Sequence, residues 1–163
     1  MVNEMNHIIM IDEYAVEYLD SVPENIDEVV HHGHIIDEAA HGVVCNYNLF
    51  CFVIRNSNKS VVGMLTAYTA YSEIYVDDIW IDPKYRKIGL GRRLLEGLEN
   101  HFKGRGYNNI NLVTSQFQAP EFYKKCGFDI EFIRQNKYNH KLTKTFFIKY
   151  FDDELQNQGV LEK

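Results

Sequence analysis

The apolar residues of this 163-residue chain fall at helical spacing in two segments. The first segment opens with Ser21-Val22-Pro23-Glu24, the pattern of a capping box, and predicts a helix over about 22–41 that is weakened at Gly33. The second places its apolar residues on one helical face and ends near two glycines. They are Leu90, Leu94, Leu95, Leu98 and Phe102, followed by Gly104 and Gly106. Two amphipathic helices are therefore expected.

Strand patterns occupy much of the chain after residue 48. Three of them follow one another across short polar turns and predict an antiparallel meander over 49–55, 61–68 and 73–81. Three more are predicted over 109–114, 128–133 and 145–151. Among them, Pro120 and Gly127 mark the first turn and the C-terminal cap of a short helix. This order predicts an α/β (α+β) fold with a mixed, mostly antiparallel central sheet flanked by helices.

Composition and charge limit the class of protein. The length and the 45% apolar content predict a single domain over residues 1–163. No segment is apolar for the length of a membrane span, and the N-terminus carries acidic residues where a secretory signal carries Lys or Arg, so a cytoplasmic location without a membrane partner is expected. A net charge of -6 disfavours nucleic acid as a partner and is compatible with a cationic small substrate.

Cysteines and histidines give no pattern for a metal site. Cys45, Cys51 and Cys126 lack the paired spacings of zinc sites and disulfide frameworks, so reduced, buried thiols are expected. His34 and His41 share a helical face, but spacing fixes no cysteine or carboxylate partner for them. No metal is expected.

A glycine pair opens the second predicted helix. Backbone N–H groups at a helix start lack intrahelical partners and can face an anion, and Gly89 and Gly91 permit positive φ values and close approach. Four cations surround the pair: Arg86, Lys87, Arg92 and Arg93. The pattern favours a diphosphate ligand, although it lacks the Lys-Ser/Thr pair of a P-loop and the third glycine of a dinucleotide site. The alternative is that the glycines merely let the helix pack closely.

Two blocks of the sequence resemble the GNAT superfamily of N-acetyltransferases. The first, over residues 79–91, is similar to the acetyl-CoA motif, in which a strand and a proline turn precede Arg/Gln-x-x-Gly-x-Gly/Ala. The second, over residues 119–128, is similar to the Ala-x-x-Phe-Tyr-x-x-x-Gly-Phe block, and with Phe117 and Gln118 it resembles a bacterial subgroup with a Phe-Gln-Ala-Pro-x-Phe-Tyr motif. The resemblance implies a single GNAT-like domain with a splayed strand pair.

The same resemblance implies acetyl-CoA as co-substrate. The residues expected to bind it are Ile79, Trp80, Ile81, Arg86, Lys87, Ile88, Gly89, Leu90, Gly91, Arg92, Gln116 and Lys124. Gln116 stands where the family usually has Asn, so its amide would reach the pantetheine arm differently. The strand is expected to bulge and splay over residues 79–81, which frees main-chain groups for pantetheine and for the developing oxyanion.

Two catalytic roles follow from the resemblance. Tyr123 matches the general acid, since a tyrosine is protonated at neutral pH and can donate to the departing CoA sulfur. Its neighbour Phe122 is the expected core residue, because adjacent helical positions do not share a face. Asp77 matches the general base of polyamine acetyltransferases and would act through a water. Strand alternation predicts that Asp77 and Asp78 point to opposite sides, and either carboxylate could instead be solvated or paired with an arginine.

The predicted function is transfer of an acetyl group from acetyl-CoA to a primary amine by direct attack in a ternary complex. An acyl-Cys126 route is disfavoured, because that thiol is predicted at a helix C-terminus. A cluster of carboxylates at Glu73, Asp77, Asp78 and Asp82 favours a small cationic acceptor. A protein N-terminus or lysine is an alternative acceptor, and a CoA-binding sensor or interaction module is an alternative function. A homodimer is possible within this superfamily.

Overall fold

A computed structural model describes residues 8–151 of the chain. The chain divides into two compact units between Cys45 and Asn46, and each unit is described by itself. The single domain over residues 1–163 stays a prediction.

The N-terminal unit contains a hairpin and one helix. Strands β1 (Ile8–Ile11) and β2 (Tyr14–Glu17) pair antiparallel, and helix α1 covers Glu24–Ala40. The helix is confirmed, whereas the hairpin was not predicted. The predicted capping box is wrong: Pro23 is the N-cap in extended backbone, and no side chain caps the helix. A proline biases the residue before it towards extended backbone, so the helix cannot begin at Val22.

The described part of the C-terminal unit is a six-stranded sheet with two α-helices. Its strands are β3 (Asn48–Arg55), β4 (Val61–Ala70), β5 (Glu73–Ile81), β6 (Asn109–Ser115), β7 (Asp129–Arg134) and β8 (Lys144–Tyr150), and its helices are α2 (Leu90–Phe102) and α3 (Pro120–Lys125). The strand order is β3-β4-β5-β6-β8-β7. The β5–β6 pair is parallel and all other pairs are antiparallel. The mixed, mostly antiparallel sheet is therefore confirmed.

Helix α2 lies on the core face of this sheet. Leu94, Leu95, Leu98 and Phe102 are buried, as their spacing predicts, whereas Leu90 at the helix start is half-buried. The Phe102 ring packs 5.0 Å from that of Phe50 on β3, measured between ring centroids. Each fully buried leucine contributes about 1.5–3 kcal/mol of burial free energy, so this face fixes α2 against the sheet.

Strand β5 leaves its neighbour β6 halfway along its length. Parallel pairing joins β5 to β6 from Glu73 to Val76 and ends there. On the other edge, β5 stays paired with β4 as far as Ile81, but Thr66 faces Asp78 while Ala67 faces Val76. Asp77 is thus the extra residue of a β-bulge. The splayed strand pair is confirmed, and the bulge lies at Asp77 instead of at residues 79–81.

Candidate active site

A cleft of about 820 Å³ opens where β5 and β6 separate. Its walls are residues 76–81 of β5, residues 112–114 of β6, the loop and first turn of α2, and the segment from Phe117 to α3. We call this cavity the strand cleft. Its volume lies in the range of small-molecule and cofactor sites.

Most of the predicted site residues line the strand cleft. They are Asp77, Ile79, Trp80, Ile81, Arg86, Lys87, Gly89, Leu90, Gly91, Arg92 and Tyr123. Three predicted cofactor residues are not among the lining residues: Ile88, Gln116 and Lys124. Lys124 instead forms an exposed ion pair with Glu121 at 2.7 Å, and Lys125 is the lysine of α3 that reaches the cleft wall.

The loop before α2 presents backbone N–H groups to the strand cleft. Lys87 and Gly89 both have positive φ, at 64° and 87°. The backbone N–H of Arg93 donates to the Gly89 carbonyl at 3.1 Å, so the first helical hydrogen bond forms only there. The N–H groups of the turn before Arg93 are left for an external acceptor. Successive N–H groups in such a turn form an anion-binding concavity, and the positive end of the helix dipole adds to it.

Gly91 has a packing role as well. A Cβ atom built at Gly91 would lie 3.0 Å from a ring carbon of Phe122 on α3. Gly89 therefore supplies the positive φ of the loop, and Gly91 permits the close packing of α2 on α3 that the alternative interpretation expected, while the diphosphate ligand stays a prediction.

Two of the four cations at the loop hold backbone carbonyls. The Arg86 Nε donates to the Ile81 carbonyl at 2.9 Å, and an Arg92 guanidinium nitrogen donates to the Lys125 carbonyl at 2.7 Å. Arg86 thus ties the loop to the end of β5, and Arg92 ties the start of α2 to the end of α3. Their positive charges still stand at the cleft wall. Sequence spacing gave no sign of these backbone partners.

Helix α3 ends in a Schellman motif that fixes Tyr123. Gly127 has a φ of 83°, and its N–H donates to the Lys124 carbonyl at 3.0 Å. The N–H of Phe128 donates to the Tyr123 carbonyl at 3.1 Å, which completes the motif. The predicted first-turn Pro120 and the glycine cap are confirmed. A rigid end to α3 holds the Tyr123 ring at the cleft.

The Tyr123 ring lies in an apolar environment. It packs 5.7 Å from the Phe147 ring, between centroids. Burial, followed by the negative charge of Asp78 and then by Cys126, raises the pKa of Tyr123 to about 12. The predicted contrast with Phe122 is wrong, since both side chains pack on the core and both line the strand cleft. Adjacent positions on an α-helix are 100° apart, and α3 has only six residues and lies at the cleft edge. Phe122 and Tyr123 can therefore each contact both the core and the strand cleft.

The two aspartates of β5 share the strand cleft. Asp77 and Asp78 are both exposed and both line it, so their predicted separation onto opposite sides is wrong. The bulge is the reason: Val76 and Ile79, three residues apart, both pack on the core, whereas an unbroken strand would place them on opposite faces. Asp82 is placed differently, because its carboxylate accepts the Lys84 N–H at 2.9 Å in the turn that follows β5.

Gln118 is a cleft residue that sequence reasoning missed. Its Oε1 accepts the Ser115 N–H at 2.8 Å and the Thr114 hydroxyl at 3.1 Å, which fixes the amide at the end of β6. Gln118 belongs to the Phe-Gln-Ala-Pro-x-Phe-Tyr motif, so the sequence contained a signal from which this residue could have been predicted. Gln116 instead donates its backbone N–H to the Thr143 carbonyl at 2.9 Å.

The cysteines are free thiols, but the prediction that all are buried is wrong. Cys51 is exposed, and Cys45 and Cys126 are half-buried. Burial raises the pKa of the Cys126 thiol, against the opposing effects of Arg92 and Lys149. Cys126 does not line the strand cleft.

The described residues contain neither a candidate metal site nor a candidate membrane-spanning helix. No group of three or more His, Cys, Asp or Glu side chains among them is arranged to hold a metal ion. None of the helices within residues 8–151 has the length and apolar character needed to cross a membrane.

Fold and site together define a class of protein in which splayed strands and a glycine-opened helix form a cleft. The chain matches the acetyltransferase (GNAT) family over residues 9–128 and belongs to that family.

Individual relatives cover parts of the chain. A histone acetyltransferase of Glycine max is 32% identical over 77 residues, which are 47% of this chain and 33% of the relative. The [ribosomal protein bS18]-alanine N-acetyltransferase of Escherichia coli is 34% identical over 83 residues, 47% of this chain and 55% of the relative. The chain therefore matches about a third to about half of these relatives' lengths. A solved acetyltransferase of Bacillus cereus has the same fold, with a TM-score of 0.68, 24% identity and coverage of 82% of this chain and 96% of the other.

Proposed function

We propose that the chain is an N-acetyltransferase that transfers the acetyl group of acetyl-CoA to a primary amine. One observation carries the proposal: three features line the same strand cleft. They are the anion-facing start of α2, the half of β5 that no longer pairs with β6, and the Tyr123 ring. Membership in the acetyltransferase family supports it.

The residues of the strand cleft fit acetyl-CoA. The free N–H groups before Arg93, with the charges of Arg86, Lys87 and Arg92, would bind the diphosphate. Residues 77–81 of β5 have an edge that no strand of the described chain covers, and this edge offers main-chain groups to the pantetheine arm. Acetyl-CoA, when bound, supplies the acetyl group as a thioester. We propose Gln118 together with Gln116 as the amides that meet the arm.

Tyr123 is the proposed general acid. Its burial and the nearby Asp78 keep the hydroxyl protonated throughout the neutral range, with a pKa of about 12. From the cleft wall, the hydroxyl would donate its proton to the departing sulfur, whose own pKa resembles that of a cysteine thiol, about 8.5. Between the free groups this transfer is uphill by the difference of the two pKa values, so the hydroxyl would act first as a hydrogen-bond donor that stabilises the negative charge developing on the sulfur.

Asp77 is the proposed general base. A primary amine with a pKa of about 10.4 is almost entirely protonated at pH 7, and only the neutral form attacks a thioester. The Asp77 carboxylate lines the cleft and is exposed, so it would accept the proton through a water. Asp78 also lines the cleft and is the competing candidate for this role.

Direct transfer in a ternary complex is the proposed route. The Cys126 thiol does not line the strand cleft, and burial raises its pKa, which disfavours the nucleophilic thiolate. The amine would therefore attack the thioester itself, without an acyl-cysteine.

The proposed acceptor is a small cationic amine. The carboxylates of Asp77 and Asp78 at the cleft support this choice, because they attract a positive charge. A protein acceptor is the second candidate, since the named relatives include a histone acetyltransferase and a ribosomal-protein alanine acetyltransferase.

Thiol release from acetyl-CoA, measured with a panel of small amines and peptides, tests the proposal. Release that depends on an amine supports it. Calorimetric binding of CoA without turnover on any acceptor would favour a CoA-binding sensor, and failure to bind CoA would overturn both functions.

A further inference from the structure

A second cavity adjoins the strand cleft at the point where β5 and β6 separate. It has a volume of about 510 Å³ and is lined by residues of β4, β5, β6, β7 and β8. We call it the acidic pocket. It shares four lining residues with the strand cleft: Val76, Asp77, Leu112 and Val113. Val76 and Leu112 form the last β5–β6 pair, so the two cavities meet at the gap between these strands.

The acidic pocket carries negative charge without a balancing cation. Glu73, Asp77 and Glu131 line it, and its described lining contains no Lys, Arg or His. Tyr68 and Tyr75 stack beside these carboxylates, with ring centroids 5.2 Å apart and planes 14° apart. Aromatic faces next to carboxylates favour an organic cation, because the ring quadrupole and the charges attract it together.

Glu73 is fixed in position for such a role. Its Oε2 accepts the Tyr75 hydroxyl and the Asn111 side-chain amide, the latter at 3.2 Å. The pKa of Tyr75 rises to about 12, first through this hydrogen bond and also through the charges of Glu73 and Glu131. A carboxylate held by two donors loses little side-chain entropy when a cation binds, because its geometry is already set.

One buried amide of the pocket lacks a partner. Asn109 lines the acidic pocket and is 1% exposed, and its Nδ2 has no hydrogen-bond acceptor within the described part of the chain. Buried polar groups are paired in the large majority of cases. The Asn109 Nδ2 donor therefore stays without an acceptor in a residue that lines the pocket.

We infer that the acidic pocket is the acceptor site and that it selects amines carrying a second ammonium group. Glu73 and Glu131 bind that second cation beside the tyrosine pair. The other amine of the same molecule then points past the last β5–β6 pair, Val76 and Leu112, towards the strand cleft. This inference rests on the proposed function and names its substrate class as diamines and longer polyamines.

Matched acceptors separate this inference from general amine acetylation. A series of α,ω-diaminoalkanes is compared with amino alcohols of equal length, in which a hydroxyl replaces the second amine. The best diamine is expected to exceed its amino alcohol about 10-fold to 100-fold in kcat/KM, the size of one charge-assisted contact. Equal kcat/KM for each matched pair would overturn the inference while leaving the acetyltransferase function standing.

A charge-removing variant tests the pocket itself. Glu131→Gln is expected to raise KM for the diamine about 10-fold or more, and to raise KM for the amino alcohol much less. Asp129→Asn is the control, because it removes one charge from the same strand at a residue that does not line the pocket. An equal effect of both variants, or an equal loss with diamine and amino alcohol, would overturn the assignment.

Binding supplies a readout that does not need turnover. Calorimetry with CoA present is expected to show diamine binding to the native chain, and weaker binding to Glu131→Gln and Glu73→Gln. If diamines bind in this manner but no acceptor causes thiol release from acetyl-CoA, the assignment of the acidic pocket as a diamine site holds and the proposed acetyltransferase function fails. If no diamine binds, the pocket assignment is overturned.

Discussion

At the scale of single residues, Tyr123 is the most direct test of the proposed chemistry. Tyr123→Phe removes the proton donor and keeps the ring that packs on Phe147. We expect kcat to fall about 10²-fold or more, with KM for acetyl-CoA little changed. Tyr138→Phe is the control, since Tyr138 is 98% exposed and does not line the cleft. An unchanged kcat in Tyr123→Phe would remove its catalytic role.

The pH profile tests the same residue independently. The rate requires a neutral amine and a protonated Tyr123, and the hydroxyl loses its proton only as pH rises through its pKa of about 12. We therefore expect kcat/KM for an amine to rise with pH from about 7 to about 9, without a descending limb below about pH 10. A loss of activity with an apparent pKa near 8 would contradict this assignment. Steady-state rates in buffers of overlapping pH range measure this pH dependence of kcat/KM.

Single residues were predicted well where a motif fixes the backbone and poorly where the strand is irregular. Gly89 and Gly127 both have the positive φ that glycine permits, and both positions follow from their places at helix ends. Asp77 and Asp78 were misplaced, because alternation assumes an unbroken ladder and a bulge has no sequence signal here. The hydrogen-bond partner of Arg92, the Lys125 carbonyl, lies 33 residues away in the sequence, and nothing in local spacing indicates it.

At the scale of secondary-structure elements, the close contact between α2 and α3 depends on glycine at position 91, which has no side chain to clash with Phe122. Gly91→Ala would bring a Cβ to 3.0 Å from the Phe122 ring. We expect a loss of about 1–3 kcal/mol in unfolding free energy, the usual cost of overpacking, together with weaker CoA binding. Denaturant unfolding and calorimetry measure the two effects.

The matched control lies on the same helix. Gly97→Ala would place its Cβ in ordinary contact with Phe52, at 3.7 Å. Since alanine is a better helix former, this variant is expected to gain about 0.5–1 kcal/mol. Equal stability of the two variants would show that Phe122 moves away readily, and the packing role of Gly91 would then fail.

Elements with strong periodicity were predicted to within two residues, and the short helix α3 was predicted from its Pro and Gly ends, whereas the β1–β2 hairpin was not predicted. Helix α2 and five of the six strands carry apolar residues that lie in the core or pack against it, so pattern and packing agree, whereas the residues of β7 are all exposed. The β1–β2 hairpin consists of two four-residue strands, too short for a clear alternation. The apolar spacing in α1 gave the right helix, although none of its side chains is buried.

At the scale of the whole molecule, ligand binding should raise stability by mass action. CoA at about 100 times its Kd is expected to add about 2.7 kcal/mol to the unfolding free energy. Gly89→Val should abolish most of this gain, because a β-branched residue is strained at a φ of 87° and the loop N–H groups would move. A stabilisation by CoA that is the same in both proteins would place its site elsewhere.

Acetyl transfer within the strand cleft is tested most directly by the stoichiometry of a single time course. Thiol release from acetyl-CoA is followed with a diamine present, and the acetylated amine is quantified by mass spectrometry in the same samples. The proposed mechanism predicts one acetylated amine for each thiol released, and little release without an amine. Thiol release at the same rate with and without an amine, or CoA binding with no acetylated product from any acceptor, would contradict it.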